Sequence, residues 1–386
     1  MSALPFAYLL LLEPLGLLYG SSGRTLSPET LTGRAAEQFP PDAPTIAGLI
    51  ASQLERPSGL TKQDTPLWNL HTAGPFCYST NKQDLWLPAP FTLLQEDNAA
   101  SSDGPQSPSL HRLEWAQREE DGDGPAGSWH PPEGQTIPRK ATAGGWVALR
   151  HWPQVRSSAA PALANDPLRV QPNPWKAVPH LHPRLRNDER VSDRDNALFL
   201  EYGIALEPGV CLAYLSSHMI PEGRYRFGGE GHLVELRCQS LPKMLEDLLL
   251  EPLTGPFALI TPGLWGGPRL SRREPLDTSR QPAIQPWHRY GVPPAILTER
   301  PRPWRHQLGI STEVTSPQRQ RRLSRGRWAV PAGSCYRVPD GLAPWVDWPP
   351  SWFPKEGFSF KQFGTALALP LHPTSNPPTS NPPASS

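Results

Sequence analysis

Three groups of residues in this sequence carry chemistry by type and spacing. Gly228, Gly229 and Gly231 surround Glu230, just before the alternating run Leu233 to Cys238. Glycine has no Cβ, so such a loop reaches positive φ and lets a partner approach its backbone N–H groups; the same pattern also makes a hairpin turn before a strand. His182, Arg184, Arg186, Arg190 and Arg194 place cations along one Pro-flanked segment, Pro179 to Arg194, and Lys361 sits beside Phe358, Phe360 and Phe363. Phosphates need cations and backbone donors, and unstacked bases need aromatic rings, so the three groups suit single-stranded RNA better than catalysis.

The catalytic signatures are missing. No GxSxG, HExxH or P-loop occurs. His180 and His182 alternate as ligands on a strand would, but no Cys, Asp or Glu stands beside them at metal-ligand spacing, so neither a metal nor a cofactor is expected. Glu119-Glu120-Asp121 is a solvated charge run, and Glu230, with no base or ligand partner in sequence, is expected to shape its loop.

These groups need a framework, and the composition limits it. The 386 residues suffice for about two domains, and 51 prolines disfavour a helix-rich protein. The net charge of +1 gives no global field, yet thirteen Arg against Glu274, Asp277, Glu299 and Glu313 lie between Arg269 and Arg327, a local basic surface of the kind that contacts phosphate. Cys77, Cys211, Cys238 and Cys335 form no CxxC pair and fit a reduced cytoplasm. The apolar N-terminus has no basic flank and is interrupted by Glu13-Pro14, unlike a secretory signal, and no stretch approaches the ~18 apolar residues of a membrane span.

Phe6 to Leu12 reads as a strand buried on both faces. Ile46, Leu49, Ile50 and Leu54, preceded by prolines, make one face of a first helix, in which Gly48 is expected to permit close packing on a sheet. Asp84 to Pro90 forms a hairpin with the segment around Gly74-Pro75-Phe76. From about 95 to 144 the composition turns to Ser, Gly, Pro, Asp and Glu and reads as a mobile insertion, with Trp115 and Trp129 the only hints of packing. Strands follow at Ala197 to Leu206 and Val210 to Leu215, joined at Pro208-Gly209; Leu241, Met244, Leu245, Leu248 and Leu249 mark the clearest amphipathic helix. Beyond it, short strands are expected at Phe257 to Pro262, Leu308 to Val314, Trp328 to Val330, Cys335 to Val338 and Phe363 to Leu369, and the repeated Thr-Ser-Asn-Pro-Pro tail reads as disordered. The sum is an α+β chain of two tandem units, 1–240 with the 95–144 insertion and 241–370 with a basic Pro-rich insertion, followed by the 371–386 tail.

Leu11-Leu12-Glu13-Pro14-Leu15, Phe39-Pro40-Pro41 through Ala47-Gly48, Gly74-Pro75-Phe76 with Leu87-Pro88-Ala89-Pro90, Phe227 to Gly231, and Ala329-Val330-Pro331-Ala332-Gly333-Ser334-Cys335-Tyr336 occur in that order. Together they resemble the third-subunit family of the Cmr (type III-B) CRISPR effector complexes, in the repeat-associated mysterious protein superfamily, over about residues 5 to 370. The resemblance implies two tandem ferredoxin-like (RRM-like) domains with long loop insertions. It also implies a non-catalytic antiviral-defence subunit of a cytoplasmic ribonucleoprotein, one that holds the 5′ handle of the CRISPR RNA between the large polymerase/cyclase-like subunit and the backbone subunits. By the same resemblance, the Gly228 to Gly231 loop lies near the end of the first domain and Pro179 to Arg194 occupies an RNA-facing hairpin. A near-neutral charge suits a subunit covered by protein neighbours. Where relatives carry Asp and an Arg-Asp-Gly-like run after the first strand, this chain has Gly16 and Gly20-Ser21-Ser22-Gly23-Arg24. One competing reading is a CRISPR-RNA processing endoribonuclease of the same superfamily using His180, His182 or His232. Another, prompted by the fourteen tryptophans, is a carbohydrate-binding or structural module.

Overall fold

The computed structural model describes residues 3–18, 39–54, 66–96, 109–117, 127–161, 163, 166–183, 198–229, 231–267, 270–289, 291–310 and 321–372. Its first strand, β1 (Tyr8–Pro14), alternates Leu9 and Leu11 to one face with Leu10 and Leu12 to the other, and all four are buried. An uninterrupted apolar strand is stable only at the centre of a sheet covered on both sides, and that is where β1 lies.

Helix α1 (Ala43–Gln53) covers one face. Pro44 starts it with a pre-set φ and no wasted N–H, and Ile46, Leu49 and Ile50 pack on Leu10, Leu12, Leu212 and Tyr214. Gly48 does not touch the sheet as expected: it is exposed, and a Cβ built on it meets nothing within 4 Å. The apolar set Ile46, Leu49 and Ile50 points the opposite side of the helix at the sheet, leaving residue 48 in water.

Strands β2 (Thr72–Ser79), β3 (Asp84–Pro88), β4 (Trp146–Ala148), β5 (Val210–Ser216), β6 (Gly223–Phe227) and β7 (His232–Ser240) complete a seven-stranded antiparallel sheet in the order β6-β7-β1-β5-β2-β3-β4. The expected hairpin around residues 74 to 90 is β2 and β3, paired from Cys77–Trp86 to Ser79–Asp84. Gly74 is required where β2 passes β5: its φ is +131°, and a Cβ there would stand 2.9 Å from the buried Tyr214 ring.

The second face meets α2 (Trp152–Arg156), α3 (Lys243–Leu250) and a smaller sheet made of β8 (Phe257–Leu259), β9 (Ala295–Leu297), β10 (Cys335–Arg337) and β11 (Ala368–Pro370), ordered β9-β10-β8-β11. Leu9, Leu11, Phe76, Ala213 and Leu215 of the large sheet, Leu245, Leu248 and Leu249 of α3, and Phe257, Tyr336, Trp345 and Trp348 belong to one continuous core. Arg156 at the end of α2 and Glu251 at the end of α3 form a bidentate pair at 2.8 and 2.5 Å, closing the seam between the halves. Counting β1, β2, β5 and β7 as first to fourth, their spatial order is 4-1-3-2, and β8 to β11 repeat that order. The architecture is α+β, with antiparallel sheets and few helices.

Seven of the fourteen tryptophans (146, 152, 265, 287, 304, 345 and 348) are buried, and Trp265, Trp287 and Trp348 form an edge-to-face cluster with Phe257 and Tyr336. Half of the tryptophans are therefore core side chains rather than parts of a sugar-binding platform. The described parts of the 95–144 insertion are not structureless. Leu93–Glu96 pairs with Ser109–Arg112 and Thr142–Ala143, Glu114–Gln117 pairs with Gly127–His130, and Trp115 meets Trp129 edge to face at 5.4 Å. Arg112 holds this subdomain down by donating to the carbonyls of Gln154 and Val155 at the end of α2. The expected strand at Phe363 to Leu369 begins only at Ala368. Ser359 and Gln362 form a capping box that turns Phe360–Phe363 into a 3-10 helix instead.

Because Gly48 lies in an exposed helix interior with open space at its Cβ, Gly48→Ala should stabilise the protein by about 0.5–1 kcal/mol, read as an increase in the urea midpoint at unchanged m-value.

Candidate nucleic-acid interface

Between the large sheet and the C-terminal half opens a cleft of about 640 Å³. Trp68, Asn69 and His71, from the turn that feeds β2, form one wall, and Arg327, Lys355 and Lys361 stand on the other. Among the described residues no Asp or Glu lines it. The walls are fixed to each other by Gln362, whose Nε2 donates to the Trp68 carbonyl at 2.6 Å, and by Trp68 packing on Phe358 at 5.5 Å.

Each cation is held differently. Arg327 is buried, donating to the Gly267 carbonyl and to Glu356, both at 2.8 Å, and lies over the Phe360 ring. Lys355 is exposed and stands 6.0 Å over the Trp68 ring. Lys361 donates to the carbonyls of Val346 at 2.8 Å and Trp348 at 2.5 Å and lies over Trp345. Its burial lowers the ammonium pKa to about 8. Burial also lowers the pKa of His71, whose Nδ1 lies 3.1 Å from the Asn69 carbonyl, and the positive charge of Lys361 adds to that effect. Lys355 and Lys361, with no carboxylate paired to them among the described residues and the Trp68 ring beside Lys355, and Arg327 behind them with its charge engaged by Glu356, give the cleft a cationic wall suited to an anion with planar rings.

Of the residues singled out from the sequence, Lys361 belongs to this cleft. Phe363 does not offer a free ring: it is half-buried, packed against His306 and Phe360, and Phe360 is wholly buried, so the expected phenylalanine platform is core. Gly228, Gly229 and Gly231 form the turn between β6 and β7, where Phe227 pairs with His232 and the Gly231 N–H donates to the Gly228 carbonyl at 3.3 Å. Gly228 and Gly231 have φ of +77° and +68°, as such a turn requires, and a Cβ at Gly228 or Gly229 would meet nothing within 4 Å. The turn is thus open on its outer side. Glu230 lies outside the described residues.

Of the basic group, His182 belongs to a long arm. Trp175–Pro183 pairs with Leu198–Leu206 over nine residue pairs, from Trp175–Leu206 at the base to Pro183–Leu198 at the tip. The base is seated by reciprocal hydrogen bonds of 2.9 and 2.7 Å between Leu18 and Ile204, and by Leu17 against Gly203. Towards the tip, Pro179, His180 and Leu181 are exposed. His182 pairs with Phe199 near the tip, while Arg184, Arg186, Arg190 and Arg194 lie outside the described residues. The candidate histidines are separated in the fold: His180 and His182 are on the arm, and His232 is in β7 of the large sheet. Among the described residues no group of three or more His, Cys, Asp or Glu could hold a metal ion.

Sequence reasoning missed Trp68, His71, Arg327 and Lys355. Arg327 was visible only as one of thirteen arginines, and nothing in the sequence marks Trp68 and His71, which reach the site through the fold.

Sheets wired this way, with a cationic cleft and an exposed ribbon, define an α+β protein of antiparallel sheets. The particular family is shown by the sequence: the model of the CRISPR-associated protein family Cas_Cmr3 matches residues 11–364, and the chain belongs to that family. No curated protein sequence matches it. Among solved structures, one similar chain comes from the cryo-EM structure of the Type III-B Cmr-beta bound to cognate target RNA, at 13% identity, covering 85% of this chain and 86% of that one with a TM-score of 0.45. Another comes from the Csm3-Csm4 subcomplex of the type III-A CRISPR-Cas interference complex, at 9% identity, covering 87% and 94% with a TM-score of 0.37. Among the described residues no helix is long and apolar enough to cross a membrane.

The depressed pKa of Lys361 gives a pH signature. The cation is present below about 8 and lost above it, whereas an ordinary lysine stays charged to about 10.4. Affinity of the chain for a short single-stranded RNA, measured by fluorescence polarisation, should fall between pH 7 and pH 9, and Lys361→Met should bind more weakly and lose that inflection.

Proposed function

We propose that this protein is a non-catalytic, RNA-binding subunit of a type III-B (Cmr) CRISPR effector complex. In this reading it grips the 5′ handle of the CRISPR RNA and joins the large polymerase/cyclase-like subunit to the backbone subunits, acting in the cytoplasm in antiviral defence. Membership of the Cas_Cmr3 family supports the assignment to the complex. The observation that carries the RNA reading is the cleft, with Lys355 and Lys361 beside Trp68 and, among the described residues, no Asp or Glu in its lining. A handle of fixed sequence needs base contacts as well as phosphate contacts, and a cleft offering both is suited to it.

Other features of the fold support the finer parts of the reading. The repeated 4-1-3-2 order supports a diverged tandem of ferredoxin-like units, the first ending at β7 and the second running from β8 to β11. The Gly228 to Gly231 turn, open on its outer side, and the arm whose strands flank the Arg184 to Arg194 stretch in sequence would approach RNA or a neighbouring subunit from the rim.

Arg184→Glu combined with Arg186→Glu should reduce CRISPR RNA retained by the purified complex and expose the handle to nuclease; unchanged RNA yield and protection would remove the arm from the interface. Gly228→Val should weaken RNA retention more than Glu230→Gln, because it forces a β-branched residue into positive φ at the turn. Equal retention by both variants and the wild type would leave the turn a purely structural one.

A further inference from the structure

The arginine-rich stretch between 269 and 327 contributes one residue, Arg327, to the cleft described above, and the next residue points the other way. Arg327–Ala329 pairs with Arg302–Trp304 in a two-stranded ribbon. On its inner side Trp304, Arg327 and Ala329 are buried, with Trp304 against Phe360 at 5.0 Å. On its outer side Trp328 is 57% exposed, opposite the exposed Pro303 and fixed through its backbone N–H to Ser271 Oγ at 3.0 Å. Leu270, next to Ser271, is 61% exposed. A large indole thus faces water on a paired strand while seven other tryptophans are buried, and Leu270, exposed as well, adjoins the residue that holds its backbone.

The charge around it indicates which partner. Arg273, Arg300, Arg305 and Arg325 are exposed in the same region of the chain. Among the described residues from 265 to 330 the only exposed carboxylate is Glu299, since Glu274 is paired with His288 and Asp277 is buried; Glu356, which accepts from the Arg325 backbone N–H at 3.0 Å, is itself paired with Arg327. Arg305 and Arg325 sit together at one end of the ribbon, where Arg305 Nε donates to the Ser324 carbonyl at 2.8 Å.

We propose that Trp328 is a stacking platform for one unpaired base of a single-stranded RNA whose phosphates run along Arg305 and Arg325, a second contact separate from the cleft and indifferent to the handle sequence. An aromatic face flanked by cations with little opposing charge is what sequence-tolerant single-strand binding uses, since every base has a π-face and every nucleotide a phosphate. The buried residues on the inner side of the ribbon keep the indole fixed before RNA arrives, which lowers the ordering cost of binding.

The test uses the full chain and a fluorescein-labelled uridine 15-mer, which lacks any handle sequence. Trp328→Ala should weaken binding by about tenfold while Trp328→Phe stays close to wild type, as expected for a lost stack. Arg305→Glu with Arg325→Glu should flatten the dependence of affinity on salt between 50 and 200 mM. Melting temperatures should be unchanged for Trp328→Ala, because the side chain is outside the core, and ultraviolet crosslinks should map to Trp328. Equal affinity of Trp328→Ala and wild type for the 15-mer overturns the proposal. So does protection of Trp328 from oxidation by an acidic polyglutamate peptide but not by RNA, which would make the patch a protein-docking surface. A complex that loses the handle but binds the 15-mer through Trp328 would contradict the proposed function and leave this inference standing.

Discussion

The structure depends on one apolar seam shared by its two sheets. Leu9, Leu11, Phe76 and Leu215 on the large sheet and Phe257, Tyr336 and Trp348 over the small one belong to the same core, with Leu245, Leu248 and Leu249 of α3 among them. At ~25 cal/mol per Å² of apolar surface, burial on that scale outweighs any single polar contact between the halves. The Arg156–Glu251 pair and the Asp42–Arg302 pair therefore set alignment more than they supply cohesion. Since the cleft has one wall from each half, its width is set by this seam, and its cations keep their positions without help from a ligand.

The small sheet shows how a meagre framework is compensated. Its strands are three residues each, too short to hold a layer by hydrogen bonds alone. Large rings take over: Phe257 stacks on Tyr336 at 5.6 Å, and Trp287 contacts Trp265, Tyr336 and Trp348 at 5.1, 5.2 and 5.4 Å. The prolines that break regular structure in this half leave loops, and the aromatic cluster gives those loops something to close on.

Much of the framework was legible because it obeys simple periods. The continuous apolar run of β1, the helical spacing of Ile46, Leu49 and Ile50, and the leucines of α3 each fix an element and its buried side. The insertion was misread because its strands are short and mostly half-buried, so their composition resembles loop; its anchor, Arg112 on the carbonyls of α2, is a tertiary contact without sequence periodicity. Gly48 was misread because a glycine in a helix carries no sign of which side faces the sheet. The candidate site was the least legible part. Gln362 and Trp68, which join its walls, are 294 residues apart in sequence, and the phenylalanines beside Lys361 looked available only because burial cannot be read from neighbours in the chain.

The arm, seated at Leu18–Ile204 and paired for nine residues, behaves as a cantilever. At ~3.3 Å per residue, the six steps from the Ala177–Ile204 pair to the Pro183–Leu198 pair carry its end about 20 Å from that support. Hinging at the base would be amplified at the far end, so that the Pro183–Leu198 pair would sweep an arc. An extended polymer caught within that arc is then held near the body at a raised effective concentration, and the chain gains reach without giving up the rigidity of its core.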